Sequence, residues 1–215
     1  IFITGTMAKW SKSIWQTVQA PVKLSEKLIW HNDAGYRTVG YSWKARNVLY
    51  RTGLRYQFSK KTDAAAGFAL FYQRTDRAEQ DFAQEFRLWQ EVVRQQHVTR
   101  SLTLQFRLRT EQRFFAATSQ PGFTAYRFRY RANVIGKLHK NLFLQVGYEH
   151  MHQLANQHVR FNQLRIQPAF LYNISSKVQI QAMYMYLQTP DDIQRILWLT
   201  YFIHLSYANK NRHQS

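Results

Sequence analysis

Ten arginines occupy alternate positions in short polar stretches: Arg51 and Arg55, Arg87, then Arg107, Arg109 and Arg113, then Arg127, Arg129 and Arg131, then Arg165. Four glutamates, Glu85, Glu91, Glu111 and Glu149, share their phase. A guanidinium offers five N–H donors in a rigid fork that fits a carboxylate or a phosphate. The first chemistry such a set supports is mutual pairing, with Arg and Glu on adjacent strands satisfying one another, because a half-paired buried charge is costly. The second draws on the surplus of arginine. Cations left over could bind or pass an anionic solute, as charged rings in pores do. A third sets the arginines nearer a rim against lipopolysaccharide phosphates.

Catalytic groupings are sparse. His204 with Ser206, His150 with His152, and His31 with Asp33 are the pairs that could serve a hydrolase or a metal. His204 and Ser206 sit amid apolar residues, where a lone histidine is more often a satisfied lumen residue than a base. His150 and His152 could offer two imidazoles to a metal, yet no third ligand stands at useful spacing. No Gly-rich phosphate loop, paired catalytic carboxylates or nucleotide motif is present. The expectation is therefore no catalytic residue, no resident metal and no cofactor.

Composition narrows the class. The chain has 215 residues, with 30 Lys plus Arg against 12 Asp plus Glu, a formal charge of +18 and a sequence pI near 10.3. Aromatics at 16% argue against disorder. The longest strongly apolar run, Ile196 to Tyr201, is far short of the ~20 residues of a membrane-spanning helix. With no cysteine, disulfides and thiolate sites are out. The opening IFITGTMAKW has no basic-then-apolar signal pattern, so an exported protein would be read here in its mature form.

The elements that position these residues are strands. Over Leu102 to Phe114, Leu102, Leu104, Phe106 and Leu108 alternate with Thr103, Gln105, Arg107 and Arg109. Tyr126 to Val134 repeats the pattern, with Tyr126, Phe128, Tyr130, Ala132 and Val134 opposite Arg127, Arg129, Arg131 and Asn133. Alternation this strict means one apolar and one polar face. A helix would put Tyr130 among the arginines and leave no apolar stripe. The same period predicts strands over 47–58, 64–72, 82–92, 142–150 and 163–172. More apolar strands follow at 178–187 and 196–207, and two weaker ones precede, at 14–24 and 28–37.

Short polar turns are expected at 25–27, 59–63, 136–141 and 174–177. Longer irregular segments are expected at 38–46, 74–80, 115–124 and 151–160, with a shorter one at 188–192. Short turns at one end and longer loops at the other describe an up-and-down meander. The count is about eleven, and closed single-chain bacterial barrels use even numbers. Parity therefore points to ten strands, or to twelve if residues 1–10 supply a partial first strand. The expected layout is that N-terminal segment, one barrel domain over 11–207, and a polar tail over 208–215.

Strands of 9 to 13 residues suit a tilted bilayer crossing, which needs about 9 to 11, whereas globular strands centre near 5 to 6. Aromatics crowd the strand ends at Tyr50, Phe58, Tyr72, Phe114, Tyr126, Tyr148, Tyr172, Tyr186 and Tyr207, as interfacial girdles do. The main competitor is a soluble all-β domain. A nucleic-acid sheet fits less well, because its stacking rings and cations must share a face, and here they oppose each other.

The stretches Glu85-Phe86-Arg87-Leu88-Trp89-Gln90 and Arg107-Leu108-Arg109-Thr110-Glu111-Gln112-Arg113-Phe114 resemble a paired-strand pattern of uncharacterised outer-membrane β-barrels of Bacteroidota, a family known only as a domain of unknown function. The Leu-Ser-Glu-Lys-Leu turn after a tryptophan-containing strand is also similar. The resemblance covers roughly Trp15 to Tyr207 and implies a barrel in the outer membrane of a Gram-negative bacterium, but no activity. One departure is that such barrels usually end on the aromatic residue of the last strand, whereas Tyr207 is followed by eight polar-rich residues.

The sequence thus predicts a transmembrane antiparallel up-and-down barrel of ten to twelve strands with an arginine-rich lumen. Its expected role is non-enzymatic, as an accessory or structural subunit of a larger cell-envelope complex. Its expected partners are outer-membrane lipid, lipopolysaccharide and other outer-membrane proteins, with no nucleic acid. The alternatives are a narrow anion-selective pore and a lipid-modifying enzyme.

Overall fold

The computed structural model describes residues 12–74, 82–116 and 122–206. Residues 1–10, offered above as a partial first strand, and the tail over 208–215 lie outside them. Every regular element among the described residues is a strand: β1 (Lys12–Gln19), β2 (Val22–Lys23), β3 (Leu28–Thr38), β4 (Ala45–Ser59), β5 (Thr62–Arg74), β6 (Phe82–His97), β7 (Leu102–Phe115), β8 (Phe123–Lys137), β9 (Leu142–Ala155), β10 (His158–Asn173), β11 (Val178–Gln188), β12 (Ile193–Ile203) and β13 (Leu205–Ser206).

Each strand from β3 to β12 pairs antiparallel with its sequence neighbour. β1 closes the ring, antiparallel to β3 and parallel to β12. β2 and β13 extend the first and last strands. Ala20 and Pro21 interrupt the first strand because Pro21 has no N–H for the ladder. Its carbonyl still accepts from the Leu205 N–H at 2.9 Å. Counted this way the described residues form a closed barrel of eleven strands.

Eleven falls within the expected ten to twelve, and among the described residues it gives a barrel with odd parity. In an up-and-down meander every odd-numbered strand runs the same way, so strand one meets strand eleven in parallel. The seam runs from Lys12 beside Arg195 to Gln19 beside Phe202.

One correction concerns the long loop expected over 151–160. β9 and β10 continue through it and meet at a two-residue turn, Asn156-Gln157, whose residues have φ of 50° and 63°. Positive φ at both central positions is the type I′ geometry that matches the twist of a hairpin. A bulge between Phe161 and Gln163 absorbs the register change. β6 likewise runs past Val92 to His97 and turns through residues 98–101, where the Val98 N–H donates to Leu102 O at 2.9 Å.

The period-two pattern sets the facing. Phe106, Leu108, Tyr130, Val134, Val146, Tyr148, Phe170 and Tyr184 are exposed on the outer wall, while Arg109, Arg127, Arg129, Asn133, Gln145 and Gln167 are buried inside. This inverts the soluble arrangement and gives the barrel an apolar outer wall, the facing that suits lipid. No helix among the described residues is long and apolar enough to cross a membrane, which says nothing of strands.

Candidate functional site

Barrel diameter grows with strand number: eight strands are filled by ordinary side chains and sixteen leave a channel. Eleven strands lie between these cases, so filling them takes long side chains. The inward positions supply them as Arg, Glu, Gln, Met and Trp.

One side of the interior, lined by β4 to β9, is ionic. Glu149 receives Arg107 at 2.5 Å, Arg129 at 2.8 Å and Arg131 at 3.0 Å, with Arg165 at 3.7 Å. Arg129 also donates from Nη1 to Glu111 at 2.7 Å, and Glu111 accepts from Arg127 Nε at 2.9 Å. Arg87 lies 3.6 Å and Arg109 3.8 Å from Glu111. Glu91 accepts from Arg109 at 2.8 Å and Arg55 at 2.5 Å, and Arg107 stands 3.8 Å away. Glu85 takes a two-pronged contact from Arg87 at 2.5 and 2.8 Å and another from Arg113 at 2.6 and 3.2 Å. Each glutamate therefore serves two to four arginines.

The structure places all fourteen sequence-predicted residues inside the barrel. Thirteen of them join in one continuous ion-pair network. Arg51 stands apart, paired with Asp33 through Nε at 2.7 Å, while His31 contacts the same carboxylate at 3.1 Å.

Asp33 and Asp63 add two inward acids to the four glutamates expected from phase. Asp33 is buried, and Asp63 pairs with Arg55. The phase of Asp33, in step with His31 and Gly35, is the signal that could have found it. Asp63 was assigned to a turn but opens the inward face of β5. Arg37 was also missed. Its guanidinium lies 3.8 Å over the Trp15 ring.

Aromatic rings cap the charges. Arg87 lies 3.5 Å over Phe71 and Arg109 4.6 Å over Trp89. Trp89 has its place because Gly53 and Gly67 lack side chains. A Cβ on either would stand 2.6 or 2.8 Å from the indole Cζ2.

The opposite side of the interior is mostly apolar, with Arg37 and Arg165 reaching over its Trp15 ring. Trp15, Ala169, Met183, Met185, Leu187 and Ile196 from β1, β10, β11 and β12 form an apolar cluster with Leu171 and Trp198 against it. Trp15 and Trp198 meet edge-on at 5.3 Å, and Trp198 Nε1 donates to Thr17 Oγ1 at 3.0 Å.

Side chains from both sides pack into the lumen. Trp89, Glu149, Met151, Gln167, Met185 and Ile196, drawn from β6 and from β9 to β12, each expose 1% or less. A water-filled channel would leave these inward side chains accessible.

The catalytic candidates are dispersed. His31 and Asp33 lie in the lumen beside Arg51, while His204 and Ser206 are exposed at the short-turn end. His150 and His152 stand on the outer wall with Nε2 atoms 3.3 Å apart. Among the described residues no group of three or more His, Asp or Glu is placed to hold a metal.

The chain belongs to the family described as "Protein of unknown function (DUF2490)", whose model matches residues 12–195. Among solved structures it is similar to OmpT, an outer membrane protein of Vibrio cholerae. For a loop L8 deletion mutant the identity is 15% and the TM-score 0.47, over 77% of this chain and 58% of that one. For in-vitro folded OmpT the values are 14% and 0.44, over 76% and 51%. This chain spans a little over half the length of those barrels. No curated protein matches it.

Proposed function

We propose that this DUF2490 barrel is a non-enzymatic outer-membrane protein that acts as an accessory or structural subunit of a larger cell-envelope complex. The observation that carries the reading is the filled interior, where side chains at 1% exposure or less come from both the ionic and the apolar side. A barrel whose lumen is filled by its own residues has its outer wall and loops left as working surfaces. The outer wall offers lipid-exposed rings and a shallow hollow of about 500 Å³, where Ala64 and Ala66 lie between Tyr56 and Phe58 on one flank and Val92 and Leu108 on the other. Outer-membrane lipid, lipopolysaccharide and neighbouring barrels are the partners that such surfaces suit. The outer-membrane location and a Bacteroidota origin are part of this proposal, supported by the apolar wall and by the resemblance in 85–90 and 107–114.

The test is conductance. The purified barrel in planar bilayers should pass no current above the lipid background, should partition with outer membranes and should migrate differently on gels before and after heating. A steady current with anion preference would replace this reading with the narrow pore, which the surplus of arginine favours. Recovery as a detergent-free soluble monomer would end both.

A further inference from the structure

We propose that His150 and His152 form a two-imidazole site for a divalent first-row transition metal on the outer wall, near the loop end of the barrel. The two residues are two apart on β9, so their side chains leave the same face of the strand. The two Nε2 atoms lie 3.3 Å apart, with ring centroids 4.6 Å apart. Two nitrogens bound to one tetrahedral zinc at about 2.0–2.1 Å stand about 3.3–3.4 Å from each other, so the pair already holds the spacing of a chelate. Neighbouring rings keep it there: Phe161 lies 5.4 Å from His150, and Tyr130 lies edge-on 6.3 Å from His152. Neither histidine is needed by the lumen network, whose residues face the other way. Imidazole suits zinc, nickel and copper. The remaining coordination positions would lie on the outer side, away from the lumen network, for water or an oxyanion to fill where the wall meets the aqueous interface.

This site is independent of the accessory-subunit reading. The test is titration of the detergent-solubilised, metal-stripped full chain with Zn²⁺ alone and with Ni²⁺ alone, followed by calorimetry and by bound metal per chain. Wild type should bind in the micromolar range, at one ion per chain or one ion per two chains. H150Q and H152Q should each weaken that binding at least tenfold while melting at the wild-type temperature without metal. H158Q, at the nearby hairpin tip, should bind as wild type does. No binding to wild type at millimolar metal would overturn the proposal and leave the pair as an Nε2–H···Nε2 hydrogen bond. Equal binding by wild type and both single variants would also overturn it, by placing the ion elsewhere.

Discussion

The two sides of the lumen fill the same barrel by opposite means. From β4 to β9 the interior is mainly arginine and glutamate, set around the Leu49, Phe71 and Trp89 cluster, and each glutamate there is shared. From β10 through β12 to β1 it is methionine, isoleucine and tryptophan, with glutamine and threonine between. The ionic side spends favourable contacts on offsetting desolvation, because taking each ion out of water costs several kcal/mol before pairing returns it. Apart from Arg37 and Arg165 against Trp15, the apolar side has little of this opposing term and gains directly from area removed from water. The ionic side should therefore contribute modestly to net stability yet fail sharply when one acid is lost, whereas the apolar side should degrade in proportion to volume removed.

The sharpest way to break that contrast is Glu149→Gln. Glu149 is fully buried and meets Arg107, Arg129, Arg131 and Arg165. Removing its charge leaves four guanidinium groups facing one another, and uncompensated buried charge costs about 3–5 kcal/mol. Reversible urea unfolding in lipid vesicles should show this loss, or the variant should fail to assemble. An unchanged midpoint would mean that water reaches the network and screens it.

On the apolar side, Ile196→Ala removes a fully buried side chain from the seam strand β12. The expected cost is about 3 kcal/mol, within the range of cavity-forming substitutions. The same unfolding assay reads it. A loss larger than that of Glu149→Gln would reverse the ranking of the two sides.

The outer wall supplies a control for both. Leu104→Arg should cost about 2 kcal/mol, the lower part of the range for a cation on the lipid face. Gln105→Arg, on the inward side of the same strand, should be tolerated better, because its neighbour Asn133 offers polar company at 2.8 Å. Equal penalties in a refolding assay would invert the assignment of inside and outside.

How far the sequence told this story depends on the element. In β7 and β8 the alternation is strict, so facing, inward arginines and strand identity could all be read residue by residue. The β9–β10 hairpin was misread because Asn156-Gln157 lacks the glycine that usually marks a type I′ turn, and the polar residues around it look like loop. The seam was beyond reach for a different reason. β1 and β12 are joined by pairing across some 180 residues, and no local pattern distinguishes a parallel closure from an antiparallel one. The pairing of Trp89 with Gly53 and Gly67 is of the same kind. Each glycine reads as a weak point in a strand until the barrel rolls the indole over it. Within the ionic side, alternation marked which residues point inward but not which acid each arginine would meet, because that depends on side-chain reach across several strands.

That reach governs the smallest expected effect, in Arg113→Gln. Arg113 contacts Glu85 at 2.6 Å and Gln153 at 2.6 Å, and its guanidinium lies 4.7 Å over Phe115. It is therefore well partnered, but its acid is not dependent on it. Glu85 keeps both of its bonds to Arg87 when Arg113 is gone. A glutamine at 113 retains a donor and an acceptor for Gln153. The loss should approach that of one ordinary hydrogen bond, about 1 kcal/mol, and the unfolding midpoint should move only slightly. Combining Arg113→Gln with Arg87→Gln would remove both cations from Glu85 and leave a buried carboxylate alone. The double variant should then lose far more than the two single variants add up to. Simple additivity would show that the glutamates are not shared, and the ionic side would be a set of separate pairs rather than a network.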